Sequence, residues 1–346
     1  MAFAIERQAI TKWLQKLLGS GEVIAPVRGP CGDILFSTIR SPEQVVWNFQ
    51  NPLHPPKQFV LPQTDPIVRI KRNGERHEVE PTYDDTRRFL FNARSCDAKG
   101  IAFLSRMYEM EPADASYFRR ANNLTIISLA CNIPCPLGFC VCTDSGPFLS
   151  DSYDVQLTDL GESYLVEVGS EKGETALSGV PNLFRPATED EVSQRKRLEI
   201  EAKNHFEQET CHFASAMRRI STGRVQDALW EKMSDSCLEC GGCNMVCPTC
   251  YCFSVKDLGQ DGSWIRCRMW DSCQYAAFTL EASGHNPRAH RKERMKRRFF
   301  HKVSAQYCQR DGTVGCVGCG RCIKVCLGAT NMPAVVGAIR KGKWNE

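Results

Sequence analysis

The sequence has no hydrophobic run long enough to span a bilayer. The best candidate, residues 124–142, contains Pro134 and Pro136, so we expect a buried strand followed by a loop there. The first seven residues also lack the apolar core of a secretory signal. These absences predict a cytoplasmic protein with no membrane insertion.

The sequence also lacks the glycine-rich loops that hold nucleotides. It contains no G-x-x-x-x-G-K-S/T phosphate loop and no G-x-G-x-x-G after a strand-like run. The seven histidines are scattered and do not argue for a Ser–His–Asp arrangement. We therefore predict no catalytic residue, and we expect a flavin or a nicotinamide to be held by another protein.

Cysteine, by contrast, is abundant. The chain has 20 cysteines in 346 residues, within an ordinary globular composition of 42% hydrophobic and 24% charged residues. Disulfides are rare in a reducing compartment, where clustered cysteines more often bind metal. The cysteine content therefore predicts metal sites.

Two cysteine motifs in the C-terminal part have the same C-x2-C-x2-C-x3-C spacing. They consist of Cys237, Cys240, Cys243 and Cys247, and of Cys316, Cys319, Cys322 and Cys326. This spacing is typical of 4Fe–4S binding, because three thiolates in one tight loop can reach three corners of a cubane. Small residues such as Gly241 and Gly318 let the backbone approach the sulfurs.

The fourth cysteine of each motif is expected to bind the cluster of the other motif. We therefore predict one cluster held by Cys237, Cys240, Cys243 and Cys326, and a second held by Cys316, Cys319, Cys322 and Cys247. Two zinc sites are the alternative, but zinc ribbons use two C-x2-C pairs and not two triplets. Leu327 replaces the proline that usually follows the last cysteine, which should alter a helix start and not ligation.

The order of predicted elements indicates an α+β protein. Strand–helix–strand alternation between residues 88 and 129 favours an N-terminal α/β domain, which we place at 1–205. Residues 206–346 are predicted to form a mainly helical dicluster ferredoxin domain. The net charge is −4 before residue 206 and +8 after it, which supports this division.

Further motifs surround the cysteine pattern. Cys250 and Cys252 follow the first motif in a Cys-Pro-Thr-Cys-x-Cys-x-x-Val phrase, and residues 270–273 (Trp-Asp-Ser-Cys), 283–288 and 94–97 are equally distinctive. In these phrases, between residues 90 and 330, the sequence resembles the family of sulfhydrogenase (soluble nickel–iron hydrogenase) beta subunits and the corresponding iron–sulfur subunits of anaerobic sulfite reductase.

The resemblance implies an iron–sulfur electron-transfer subunit of a multi-subunit soluble oxidoreductase. Such a chain would relay electrons between a catalytic redox subunit, of the hydrogenase, sulfite reductase or heterodisulfide reductase type, and a flavin/NAD(P)-binding subunit. Ferredoxin is a further candidate partner. Substrate chemistry is expected on the catalytic subunit, not on this chain.

The N-terminal half contains a cysteine-rich loop comparable to one in the same family. It contributes Cys131, Cys140 and Cys142, and Cys96 follows a neighbouring strand-like run. These four predict a third 4Fe–4S cluster, in which the C-x-C pair would face one side as in a strand. Cys135 could substitute for one member, and a group of buried thiols is the alternative.

Two other functions stay open. The chain could reduce sulfur or polysulfide with its own Cys250, Cys252 or Cys273. A nucleic-acid-binding role is remote. It would rest on residues 287–302, which hold eight Lys and Arg and one acid. A solvated helix face is the preferred interpretation of this run, and electrostatic docking of an acidic partner is the second.

Overall fold

The computed structural model describes residues 2–206, 211–260, 262–308 and 312–344. The strands are β1 (Ala2–Glu6), β2 (Glu22–Arg28), β3 (Ile34–Ile39), β4 (Thr64–Asn73), β5 (Arg76–Pro81), β6 (Arg88–Arg94), β7 (Leu124–Leu129), β8 (Val155–Asp159), β9 (Ser163–Val168), β10 (Arg185–Pro186), β11 (Phe253–Gln260) and β12 (Ser263–Trp270).

The helices are α1 (Ile10–Leu18), α2 (Ser95–Tyr108), α3 (Ala115–Asn122), α4 (Glu171–Ser178), α5 (Glu189–Asn204), α6 (Phe213–Ser221), α7 (Asp227–Asp235), α8 (Gly242–Met245), α9 (Arg291–Val303), α10 (Arg321–Val325) and α11 (Met332–Lys341). The predicted α+β class is confirmed. Within the described ranges, no helix is both long and apolar enough to cross a bilayer.

The larger sheet has the strand order β10-β1-β9-β8-β7-β6-β2-β3 among the described residues. Strands β2, β6, β7 and β8 pair in parallel, and the outer pairs are antiparallel. Helices cover both faces of the central strands, so apolar side chains alternate between two cores. Phe89 and Phe91 pack towards Trp13 of α1, whereas Leu90 packs with α2 and α3.

Parallel pairing decides where the N-terminal cysteines lie. Strands β6 and β7 are neighbours and run in the same direction, so their carboxyl ends share one edge of the sheet. Cys96 is the second residue of helix α2, which directly follows β6, and Cys131 comes shortly after β7. The two cysteines therefore lie at the same edge, as the sequence predicts.

The smaller sheet was not predicted. Its order is β11-β12-β4-β5 in the part of the chain that the structure describes, and all pairs are antiparallel. The hairpin β11–β12 lies in a region predicted to be mainly helical, and its pairing with β4 joins segments far apart in the sequence. The boundary at residue 205 stays a prediction, although this sheet contains strands from both sides of it.

The C-terminal helices form a separate apolar core. Trp230 and Met233 of α7, Phe299 of α9, and Val335 and Ile339 of α11 are all buried in it. Helix α6 packs against both α9 and α11. This arrangement supports the loops that carry the two cysteine motifs.

A buried ionic group connects the smaller sheet to α3. The carboxylate of Asp65 in β4 accepts hydrogen bonds from Arg120 of α3 at 2.7 Å and from Arg268 of β12 at 2.6 Å. All three side chains are buried. The carboxylate therefore offsets the buried guanidinium charge of Arg120 and shares that of Arg268 with Asp114, whose carboxylate lies 2.5 Å from the other terminal nitrogen of Arg268.

Asp65→Ala should lower the free energy of unfolding by about 3–5 kcal/mol, because buried Arg120 loses its carboxylate partner and buried Arg268 keeps only Asp114. Urea unfolding followed by circular dichroism measures the change. Asp85→Ala removes a carboxylate from an exposed pair with Arg119 and should cost less than about 1 kcal/mol. Equal effects of the two substitutions would contradict this account.

Candidate metal centres

Four cysteines line a first cavity, between the loop that follows α7 and the end of α10. They are Cys237, Cys240, Cys243 and Cys326. The loop turns into α8 at Gly241, whose φ of +71° is in the left-handed region. A Cβ at this position would lie 2.6 Å from the ring of Tyr275, so the loop needs glycine there.

A second cavity lies next to the first. Its lining includes Cys247, Cys250, Cys316, Cys319 and Cys322. Cys243 and Arg298 line both cavities. The structure thus brings together both sets of four predicted from the motifs, with Cys247 and Cys326 each placed beside the other motif, and it adds Cys250 to the second set.

A third cavity lies at the edge of the larger sheet. Its lining includes Cys96, Cys131, Cys135 and Cys140 together with Cys319 and Gly318 of the second motif. The three cavities are similar in size, with about 420, 390 and 340 Å³ of space including their open mouths. Cysteine thiols thus line three cavities of similar extent.

The third cavity differs from the predicted set at one position. Cys142 lies outside its lining and packs with the C-terminal core. Residues 140–143 form a single 3₁₀ turn and not a strand. In a helix of three residues per turn, side chains two positions apart point in different directions, so Cys140 and Cys142 cannot face the same side.

The second motif and the N-terminal loop are in close contact. The backbone N–H of Phe139 donates to the carbonyl of Gly318 at 2.7 Å. A Cβ on Gly318 would lie 2.6 Å from the backbone of Cys140, and one on Gly320 would lie 2.3 Å from the carbonyl oxygen of Leu137. Both glycines therefore permit a backbone approach that no other residue allows.

Burial controls the ionisation of these thiols. It raises the pKa of Cys243 and of Cys319 to about 12, and it raises the pKa of Cys96 well above its usual value. Such thiols become thiolates when positive charge compensates them. Within the described ranges, no three His, Cys, Asp or Glu side chains converge on a point that could hold one metal ion. The thiols surround spaces instead.

Part of the basic run supplies positive charge to these spaces. Arg294, Arg298 and Lys302 recur every four residues on α9, and all three are buried, whereas Arg291 and Lys296 are exposed. Arg298 lines the first two cavities and Lys302 lines the second. The interpretation as a solvated face holds only for the outer side of this helix.

Two further buried cations lie near the cysteines. The Arg321 guanidinium pairs with Asp97 at 2.8 Å, and both side chains are fully buried. The Lys57 ammonium donates to the carbonyl of Cys250 at 2.8 Å, and burial lowers its pKa to about 8. Sequence reasoning did not identify Lys57, because a single lysine in a loop carries no local signal.

Comparison with known proteins adds two findings. Residues 236–330, which contain both motifs, match the 4Fe-4S dicluster domain family. The chain is 30% identical over 340 residues to sulfhydrogenase 2 subunit beta of Pyrococcus furiosus, and the alignment covers 96% of each chain. No solved structure matches this chain significantly. Because this similarity extends over nearly its whole length, and because its cysteines line shared cavities, the chain belongs to the family of sulfhydrogenase beta subunits.

Proposed function

We propose that the chain is an iron–sulfur electron-transfer subunit that relays electrons between two other subunits, one that binds flavin or NAD(P) and one that is a catalytic redox subunit. One observation supports this most directly. The first and second cavities share Cys243, and the second and third share Cys319. Three adjacent sites in one chain are the arrangement that stepwise electron transfer needs.

The residues fit 4Fe–4S clusters. Each cavity is lined by at least four cysteines, whose thiols surround a space and do not converge on the position of a single metal ion. Thiolates are the ligands of 4Fe–4S clusters. When bound, the clusters supply one-electron oxidation and reduction. The protein would hold them through Cys237, Cys240, Cys243 and Cys326 in the first cavity, Cys247, Cys316, Cys319 and Cys322 in the second, and Cys96, Cys131, Cys135 and Cys140 in the third.

The partners follow from what the chain does not carry. Its sequence has no phosphate loop or dinucleotide fingerprint, so hydride chemistry is assigned to a separate subunit. The catalytic subunit is of the hydrogenase, sulfite reductase or heterodisulfide reductase type, and ferredoxin is a candidate donor or acceptor. Nucleic-acid binding is disfavoured, because part of the basic run is buried. A cytoplasmic location stays a prediction.

Reduction of sulfur or polysulfide by the chain's own cysteines is the second candidate. The observation that favours it is the adjacency of the Cys252 and Cys273 side chains at the base of the β11–β12 hairpin. The side chain of Cys273 is only 8% exposed, which leaves little access for a polysulfide chain. Electron relay therefore fits the structure better.

The ligand sets can be tested by combining substitutions in the complete chain. Wild-type protein purified without oxygen should contain at least about eight iron and eight acid-labile sulfide per chain. Cys247→Ser with Cys316→Ser should remove about four iron, because both residues belong to one cluster, whereas Cys247→Ser with Cys240→Ser should remove about eight. Cys31→Ser, which changes an exposed thiol, is the control. Stoichiometric zinc with little sulfide would end the proposal.

The third cavity is tested by a matched pair of half-buried thiols. Cys135→Ser should lower the iron content by about four per chain, because Cys135 lines the cavity. Cys142→Ser should leave it unchanged. Iron loss with Cys142→Ser alone would restore the set predicted from the sequence, and no loss with either would favour a group of buried thiols.

The buried charge of Arg298 should set the reduction potentials of the first two clusters. A guanidinium beside a cluster stabilises the reduced, more negative state, so Arg298→Gln should lower at least one potential by on the order of 50 mV. Redox titration followed by electron paramagnetic resonance measures the shift. Lys296→Gln removes an exposed charge from the same helix and should change the potentials little. If the cluster potentials of Arg298→Gln equal those of Lys296→Gln, this role of Arg298 is refuted.

A further inference from the structure

The β11–β12 hairpin brings two cysteines together at its base. Cys252 directly precedes β11, and Cys273 lies just beyond the end of β12. The backbone N–H of Asp271 donates to the carbonyl of Cys252 at 2.9 Å, which continues the ladder past the strand ends. The side chains of Cys252 and Cys273 are neighbours there, and each thiol shifts the pKa of the other. The pair is therefore held by backbone geometry.

The sulfur of Cys273 is surrounded by donors. The amide Nδ2 of Asn244 lies 3.1 Å from it, and the amide Nε2 of Gln274 lies 3.6 Å from it. Both amide side chains are buried. A sulfur that accepts hydrogen bonds from two buried amides is in an environment suited to a thiolate, which accepts hydrogen bonds and cannot donate them.

One side chain separates this pair from the first cavity. Asn244 follows Cys243 in α8, and its Oδ1 lies 3.2 Å from the sulfur of Cys243 while its Nδ2 contacts Cys273. Gln274 contacts Cys273 and also lines the first cavity. Electrons that leave the pair would therefore reach the first cavity through a single amide.

We propose that Cys252 and Cys273 form a redox-active thiol pair that exchanges two electrons with the iron–sulfur clusters of this chain. The inference rests on the proposed function, because oxidised 4Fe–4S clusters are the electron acceptors. The step is Cys273–S⁻ plus Cys252–SH giving a disulfide, one proton and two electrons. One S–S bond forms and one S–H bond breaks, and two clusters take up one electron each.

Such a pair would match two kinds of electron exchange. Clusters carry electrons singly, whereas hydride transfer at a nicotinamide moves two electrons at once. A disulfide next to the first cavity accepts two electrons when its one S–S bond is reduced, and the thiol pair then holds both. It would let the chain hold an electron pair until both can move on.

The test follows the thiols themselves in the complete chain. Anaerobic protein is equilibrated at a series of potentials and denatured in acid, and its free thiols are alkylated. Disulfides are then reduced and labelled with a second reagent before mass spectrometry of the peptides. Cys252 and Cys273 should pass together from the first label to the second as the potential rises, with the slope of a two-electron couple. Cys267, a buried thiol in β12, should keep the first label throughout.

Two variants complete the experiment. In Cys273→Ser, Cys252 should keep the first label at every potential, while iron and sulfide stay at the wild-type content. Cys267→Ser is the matched control and should titrate as wild type. Iron loss in Cys273→Ser would make Cys273 a ligand and overturn the inference. So would the absence of the second label from both cysteines, or a sulfur adduct on Cys273 in place of the disulfide.

The failure of the proposed function gives a different result. If the wild-type chain holds no iron and sulfide, the iron analysis refutes the proposed electron relay, whatever the labels show. If iron and sulfide are present and the labels do not move, the relay stands and the thiol pair is refuted.

Discussion

Placing many ionised thiols inside a protein requires positive charge beside them. A charged group in the interior loses its hydration. A thiol is therefore ionised there only if a positively charged partner restores the lost stabilisation. In this chain the partners are long cationic side chains buried around the cysteine-lined cavities: Lys57, Arg298, Lys302 and Arg321. The elements that carry them come from both halves of the chain.

This constraint links the two halves of the chain. Lys57 comes from an N-terminal loop and contacts the carbonyl of Cys250, whereas Arg321 begins α10 and pairs with Asp97 of α2. The smaller sheet adds a second link through Asp65 and Arg268. Because the cations cross between the halves in both directions, the cavities depend on the N-terminal part as much as on the motifs that form them.

The parts of this design that are local in sequence could be predicted. The spacing alone was enough to group the eight C-terminal cysteines into two sets, because a short loop of fixed length brings its thiolates to fixed corners of a cubane cluster. The shared sheet edge of Cys96 and Cys131 followed from parallel strands. The hairpin β11–β12 is also local, and Asp261-Gly262 between its strands is a hairpin signal that was missed, whereas the pairing of β12 with the distant strand β4 could not be predicted from local sequence. Cys135 lines the third cavity in place of Cys142 because of a single 3₁₀ turn, which the sequence did not predict. The buried side of α9 had a signal in the sequence, because Arg294, Arg298 and Lys302 recur every four residues. The high charge of the whole run favoured a solvated helix face instead.

The contact of Gly318 with the N-terminal cysteine loop has a consequence for biogenesis. The third cavity takes part of its wall from residues near the C-terminal end of the described chain. A ribosome-bound intermediate that lacks this segment would lack that part of the wall. If the third cavity holds the proposed cluster, its loading would be complete only after the second motif has been synthesised and has closed against the N-terminal loop.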